Sequence, residues 1–124
     1  MAVTLTNACE KVVRELTAPA GGVTAFTMLM LDTQDRPVVC PLATATSGNT
    51  FPALVQGGLA GVAIATTVAA VNGAPLAWST ANSNFAEVAS GSSANTQAVL
   101  DQVVTSGTTT ASVILKFPAV FAAP

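Results

Sequence analysis

The amino-acid sequence predicts a small, mainly β protein, and three observations support this fold class. Apolar residues make up 51% of the chain but aromatic residues only 5%, so the apolar content is largely alanine and valine. Such small and β-branched side chains suit a closely packed sheet. Short apolar runs are separated by clusters of Gly, Pro, Asn, Asp and Ser, which favour turns. A length of 124 residues fits one domain. We therefore expect about six or seven short strands, with one short helix near residues 94–104.

Residues 1–22 are predicted to form a flexible N-terminal arm, followed by a β-rich domain over residues 23–124. The arm opens with an alternating segment that suits a strand, formed by Val3, Thr4, Leu5 and Thr6. Asn7 followed by Glu10 resembles a helix start. The arm is therefore either a strand followed by one or two helical turns, or extended throughout. The run T-A-P-A-G-G at 17–22 interrupts any regular element and marks the boundary.

The domain opens with two predicted strands joined by a polar turn. The apolar run 28–31 stops at the tetrad Asp-Thr-Gln-Asp, and the second run, 38–40, begins after Pro37. Asp favours turns because its side chain bonds the neighbouring backbone, and Pro fixes the chain direction. The polar, Ser- and Gly-containing segment 44–50 is then predicted to be a loop.

Further strands are predicted in the middle of the chain. Residues 57–67 suit a buried strand, and the Asn72-Gly73 dipeptide predicts a hairpin turn between an apolar run ending at Val71 and a strand at 76–78. A short strand is expected at 85–88. Five side chains are expected to act as apolar anchors, namely Leu29, Leu31, Ile64, Trp78 and Ile114.

The last third of the chain is predicted to contain the helix and a final strand. Ser92 or Ser93 provides a cap for a helix over 94–104, with Ala98, Val99 and Val103 on its apolar stripe. The run 112–117 predicts a strand that ends at Pro118.

The charge content excludes some partners and suggests others. The chain has four basic residues, which are scattered, so it lacks the basic patch needed to bind nucleic acid. No charged residue lies between Arg36 and Glu87. Because a soluble monomer normally covers its surface with charged side chains, this uncharged belt suggests a surface that a protein partner covers.

The sequence contains no convincing catalytic, metal or cofactor site. It has no His, which removes the commonest general base and metal ligand. Asp32 and Asp35 are better explained as turn residues than as a cation site, because no third strong oxygen ligand is near them. The glycine-rich run 57–61 lacks the G-x-G-x-x-G spacing of a dinucleotide loop. We therefore expect a protein that is not an enzyme and binds no cofactor.

The two cysteines, Cys9 and Cys40, are expected to be free thiols in a reducing compartment, since two cysteines make little of a disulfide framework. Whether they pair is left open by the sequence. The N-terminus lacks the apolar segment of a signal peptide.

Residues 54–71 offer an alternative function, that of a small membrane-associated protein with an apolar segment. The segment is uncharged and long enough to span, and Gly57 and Gly61 match the G-x-x-x-G pattern of paired membrane helices. Its many Gly, Thr and Ala residues and its lack of basic flanks disfavour insertion. We therefore expect no membrane partner, and the segment remains the alternative.

Five segments occur in an order and spacing typical of one protein family. They are T-A-P-A-G-G at 17–22, L-M-L-D-T at 29–33, G-V-A-I-A at 61–65, N-F-A-E-V-A at 84–89 and T-A-S-V-I-L at 110–115. Together they resemble the small head-decoration (cement) proteins of tailed bacteriophages, of the lambda type. The sequence departs from that pattern in the more helix-like E-K-V-V-R-E segment of the arm and in a longer loop from Thr44 to Gly57.

The resemblance implies a structural role without catalysis. Such proteins have a compact, mostly β body and bind the expanded capsid as trimers, where they brace the shell against the pressure of packaged DNA. The implied partners are the major capsid protein and further copies of the chain, on the outer surface of the phage head after assembly in the host cytoplasm. The N-terminal arm of the family adds to a strand of the capsid protein, which here assigns capsid contact to Val3, Thr4, Leu5 and Thr6.

Overall fold

A computed structural model describes residues 3–6, 11–30, 38–88 and 95–121, with the backbone alone for residue 95 and residues 117–121. The described chain forms one sheet of nine strands, whose named pairs are all antiparallel, and these residues contain no helix. The prediction of a mainly β protein is confirmed. The strands are β1 (Thr4–Leu5), β2 (Val12–Thr17), β3 (Leu29–Met30), β4 (Val38–Pro41), β5 (Thr50–Ala63), β6 (Pro75–Ser79), β7 (Asn84–Glu87), β8 (Asn95–Leu100) and β9 (Thr110–Phe121).

The long strand β5 is the centre of the fold. Its first half lies between β2 and β4, because Leu54 pairs with both Val13 and Cys40. Its second half lies between β1 and β9, where Leu59 pairs with both Leu5 and Val113. A strand with partners on both edges and packing on both faces is nearly continuously apolar, as β5 is.

The sheet curls so that its last strand, β7, contacts the chain just after the end of β5. From β5 the strand order runs through β9, β8 and β6 to β7. A parallel bridge then joins Phe85 of β7 to Ile64, and the Ala65 N–H donates to the Phe85 carbonyl (2.8 Å). This closure encloses the larger core, whose fully buried members include Leu59, Val62, Leu76, Phe85, Leu100, Val113 and Leu115.

A smaller core lies around the first half of β5. It contains Ala18, Val23, Val39, Phe51, Ala53 and Val55. Val12 and Leu16 of β2 pack against it. The segment 12–17 therefore contributes both backbone pairing and side-chain packing to the body.

The predicted first pair of strands is confirmed. Leu29 pairs with Val39 and Met30 with Val38. The polar connection, residues 31–37, lies outside the described residues. Of the two alternatives for the arm, the structure has the extended one over residues 12–17, where β2 replaces the helical turns.

The predicted helix over 94–104 is wrong. Residues 95–100 form β8, which pairs with β6 and β9. The helical stripe required Val103 to be buried, but this side chain is 67% exposed. Pairing with two distant strands places Ala98 and Leu100 in the core, and this tertiary gain outweighs a weak local helix preference.

Two predicted boundaries are also wrong. The long loop expected from Thr44 to Gly57 ends early, because β5 begins at Thr50. The last strand passes through Pro118 to Phe121. Pro118 lies where the β8–β9 register shifts, between the pairs Ala98–Leu115 and Thr96–Val120. A strand tolerates the missing N–H of proline at such an irregularity.

The Asn-Gly turn forms, but it does not connect the expected strands. The Ala74 N–H donates to the Val71 carbonyl (3.1 Å), which closes the predicted turn. The residue before the turn, Ala70, bridges to Val104 rather than to the strand at 76–78. The hairpin prediction is therefore wrong, because β6 pairs with β7 and β8 instead.

The segment 54–71, proposed as a membrane alternative, consists of residues 54–63 of β5 and the turns that follow it. None of the described residues belongs to a helix that is long and apolar enough to span a membrane.

Candidate functional site

A shallow uncharged groove beside β1 is the candidate functional site. Its volume is about 280 Å³, which is just below the range of about 300–1,000 Å³ for small-molecule pockets. The residue before β1, the loop before β3, strands β5, β6 and β9, and the turn between β6 and β7 all contribute to it. The lining residues are Val3, Phe26, Thr27, Met28, Gly61, Ala63, Trp78, Ser83 and Thr110.

Trp78 forms one wall of the groove, and its ring packs against Phe85. Its ring contacts Phe85 edge-on, with ring centroids 4.9 Å apart and an interplanar angle of 73°. Phe85 is fully buried, whereas Trp78 is only partly buried. Edge-to-face packing of this kind adds about 0.5–1.5 kcal/mol beyond area burial. The indole is therefore fixed in place while part of its surface stays accessible.

The backbone of Trp78 is fixed by a buried side chain. Gln97 is 2% exposed, and its Oε1 accepts a hydrogen bond from the Trp78 N–H (3.0 Å). In the β6–β8 ladder, Pro75 and Leu76 pair with residues of β8. The Trp78 N–H lies beyond these pairs, and the Gln97 side chain supplies its acceptor. A buried amide with a partner rigidifies its surroundings, which here means the wall of the groove.

Two residues of the groove have a strained backbone. Phe26 has a φ of 59° and Ser83 a φ of 52°, a region that residues other than glycine rarely adopt. The Phe26 N–H donates to the Pro41 carbonyl (2.7 Å), and the Ala25 N–H donates to Thr44 Oγ1 (3.0 Å). Such strain costs about 1–3 kcal/mol and concentrates at functional sites. Although its backbone is strained, the Phe26 residue remains 40% exposed to solvent.

Small residues of β5 form the floor of the groove. The register of β5 against β9 shifts between Leu59 and Val62, which is a β-bulge. Gly61 lies in this bulge with a φ of 74°, and Ala63 follows it. Bulges re-aim side chains and recur beside functional sites. Here the bulge and the small side chains leave room between Phe26 and Trp78.

The predicted capsid-contacting residues lie at the edge of this groove. Val3 lines it, while Thr4 and Leu5 are exposed on β1. The Thr6 N–H donates to the Gly58 carbonyl (3.0 Å) and ties the segment to β5. The structure thus brings the N-terminal segment and the aromatic wall together, although they are far apart in sequence.

The predicted anchors are distributed over both cores. Ile64 is buried in the larger core, Leu29 packs against the smaller one, and Trp78 lines the groove. Ile114 is partly buried on β9 and pairs with Gly58 and Val99. Leu31 lies outside the described residues.

Sequence reasoning missed Phe26, Ser83 and Gln97. The positive φ of Phe26 accompanies a hydrogen bond from its N–H to the Pro41 carbonyl, a contact between distant residues that no local sequence pattern predicts. Gln97 was assigned to a helix, so its burial was not foreseen. The segment 79–84, which contains Ser and Asn residues, is typical of a turn, but nothing in it singles out Ser83 as the strained residue.

The thiol of Cys40 is free and fully buried, and burial raises its pKa to about 11 because the thiolate is poorly solvated there. A thiol in this environment is a poor nucleophile.

Cys9, Asp32 and Asp35 lie outside the described residues. Among the residues that are described, no three His, Cys, Asp or Glu side chains are grouped so as to hold a metal ion.

Comparisons of the chain with protein-family models, with curated proteins and with solved structures gave no match.

Proposed function

We propose that this protein is a bacteriophage capsid decoration protein, which binds the expanded head as trimers and stabilises it against the pressure of packaged DNA. Four of the five segments that resemble the lambda-type family coincide with β3, the end of β5, β7 and β9, and the fifth, 17–22, begins at Thr17, the last residue of β2. The resemblance therefore involves the framework of the fold. The proposed partners are the major capsid protein and sister copies, on the outer surface of the virion.

The observation that best supports this proposal is the exposed β1 strand beside an uncharged aromatic groove. Leu5 is 41% and Phe26 40% exposed. Burial of these side chains against a shell protein would stabilise the complex by about 25 cal/mol for each Å² of apolar surface removed from water. An extended N-terminal segment also offers main-chain groups for pairing with a strand of a partner. We assign capsid contact to residues 3–6 together with the groove.

The uncharged belt between Arg36 and Glu87, apart from the residues that line the groove, is proposed to face sister copies on the shell. An interface without charges avoids the desolvation penalty that buried charged groups incur. Most of β5 is buried, so the exposed part of the belt lies mainly in the loops 42–49, 64–74 and 80–82, which form a surface rather than a pocket.

Mass spectrometry of purified virions tests the assignment as a whole. The expected result is that this chain is present in a large, fixed ratio to the major capsid protein. Particles that contain the capsid protein but lack this chain would contradict the proposal.

Co-sedimentation with expanded heads that lack the protein tests the binding surface. Leu5→Lys should weaken binding at least about tenfold, because it places a charge in an apolar contact. Thr105→Lys adds the same charge at an exposed residue outside the arm, the belt and the groove, and it should bind like the wild type. Equal binding by both variants would overturn the assignment of residues 3–6. Deletion should be limited to residues 1–6, since β2 is part of the smaller core.

A further inference from the structure

The turn at Asn72 and Gly73 contains a chemically reactive pair of residues. Both are exposed, and they lie in the loop 64–74, between β5 and β6. No other asparagine of the chain is followed by glycine. Because glycine has no Cβ, its backbone nitrogen is unhindered and its backbone adopts conformations that other residues avoid. An asparagine side chain is therefore most open to attack by the next backbone nitrogen when that next residue is glycine.

The reaction available to this pair is intramolecular deamidation. The Gly73 backbone nitrogen loses its proton to hydroxide and attacks Cγ of Asn72, so that a C–N bond forms and the side-chain nitrogen leaves as ammonia. Water then opens the cyclic imide at either carbonyl, which leaves an aspartate or an isoaspartate. The reaction needs no oxidant, reductant or cofactor, and its product carries an added negative charge.

The fold holds the attacking nitrogen in a hydrogen bond. The Gly73 N–H donates to the Leu100 carbonyl (2.8 Å), and the Leu100 N–H donates to the Ala74 carbonyl (2.9 Å). While the first bond lasts, the N–H keeps its proton more firmly and the nitrogen cannot turn onto the Asn72 side chain. The side chain is thus accessible, but its nucleophile is not.

A second pairing supports this hydrogen bond. Ala70 and Val104 exchange backbone hydrogen bonds at 3.0 and 2.9 Å, which ties the loop 64–74 to the loop 101–109. Val104 is 3% exposed and belongs to the larger core. Packing of Val104 in the core therefore keeps the two loops together, and with them the pairing of Gly73.

We propose that Asn72 is a deamidation site whose rate is controlled by local opening of the paired loops 64–74 and 101–109. The Gly73 nitrogen becomes available only when its bond to Leu100 breaks. Exposed loops open at a much lower free energy than the whole domain unfolds, so the reaction proceeds from the native protein. This inference does not depend on the decoration function.

Deamidation would place a carboxylate in the uncharged belt between Arg36 and Glu87. The loop 64–74 is in the exposed part of that belt. If the belt faces sister copies, which rests on the proposed function, an aged molecule would have to desolvate the new charge at that contact. Chemical ageing at Asn72 would then weaken the contact between copies.

Incubation of the purified protein in mildly alkaline buffer, followed by peptide mapping with mass spectrometry, measures the conversion of Asn72. The folded wild type should convert at least about tenfold more slowly than the same protein unfolded in urea. Val104→Ala leaves a cavity where the loops pair, so it should speed conversion of the folded protein at least about threefold.

Val55→Ala is the matched control, because Val55 is 1% exposed but belongs to the smaller core. It makes the same change in side-chain volume away from the loops and should convert like the wild type. Circular dichroism checks that both variants are folded. Equal rates for the folded and unfolded wild type, no conversion in urea, or the same rate for folded Val104→Ala and Val55→Ala would each overturn the inference.

Native-state hydrogen exchange of the Gly73 amide measures the same opening in the wild type, without any substitution. Relative to the unfolded chain, exchange and deamidation should be slowed by the same factor, within about threefold. A Gly73 amide that exchanges as fast as in the unfolded chain would contradict the protection. None of these outcomes bears on the virion and co-sedimentation measurements, so the two proposals fail separately.

Discussion

Gly22 shows how one backbone position fixes the path of the chain into the body. Its φ is +74°, and a Cβ placed there would lie 2.6 Å from the Ala45 carbonyl oxygen. The next residue, Val23, bridges to Ala45, so the two segments cannot separate without losing that pairing. The neighbouring Gly21 also has a positive φ, +89°, but a Cβ there would meet nothing within 4 Å.

We therefore expect Gly22→Ala to destabilise the protein more than Gly21→Ala. The Gly21 variant should lose about 1 kcal/mol, which is the cost of a left-handed backbone alone. The Gly22 variant adds a backbone clash and should lose about 2–4 kcal/mol. Urea denaturation monitored by Trp78 fluorescence measures both. Equal losses would mean that the chain relaxes around position 22.

Cys40 should make the stability depend on alkaline pH. Its pKa is raised from 9.0 to about 11 by burial, so the folded state holds the thiol proton more tightly than the unfolded state. The resulting stability is fully present below pH 9 and is lost as the pH rises towards 11. The expected loss is on the order of 2 kcal/mol.

Denaturation at pH 8 and pH 10.5 in a Cys9→Ser background measures this effect, and Cys40→Ala is the matched control. The control lacks the thiol and should show a smaller alkaline loss. The same background should resist alkylation at pH 8 until denaturant is added. Rapid alkylation of the folded protein would contradict the burial of Cys40.

At the scale of elements, β5 should be the most stable strand and β1 the least. Leu54 and Leu59 are fully buried and each pairs on both edges of β5. The two residues of β1 are exposed and pair with β5 alone among the described strands. Opening of β1 therefore costs much less than global unfolding.

Native-state hydrogen exchange followed by NMR measures this difference. The amides of Leu54 and Leu59 should exchange only through global unfolding, and that of Thr6, which donates to the Gly58 carbonyl beside β1, at least about a hundredfold faster. The β9 amide of Val113, whose residue pairs with both β5 and β8, is a suitable internal reference. Similar rates for β1 and β5 would show that the N-terminal segment is an integral part of the sheet.

The same elements show what could be predicted from the sequence. The β3–β4 pair was found because its apolar runs lie close together in sequence, on either side of a short polar segment. The strand β8 was mistaken for a helix because its partners, β6 and β9, are distant, and local preference for 95–100 is weak. The groove was not predicted, since it combines Val3, Phe26 and Trp78 from three separated segments.

At the scale of the whole molecule, binding to a partner should depend little on salt. Charged residues make up only 8% of the chain, and the groove contains none. Screening acts on charges, so an apolar contact is affected weakly. We expect the affinity for expanded heads to change less than about threefold between 50 and 500 mM NaCl. A steep decrease would instead assign the contact to charged residues such as those of β2.

The position of β5 in the chain has a consequence for biosynthesis. Its partners β1, β2 and β4 are synthesised before it, but β9, which pairs with its second half, begins only at residue 110. The edge of residues 57–63 that pairs with β9 therefore stays unpaired until residues 110–115 have left the ribosome. During that interval the nascent chain presents an unpaired apolar strand, the kind of segment that chaperones bind and that aggregates when left uncovered.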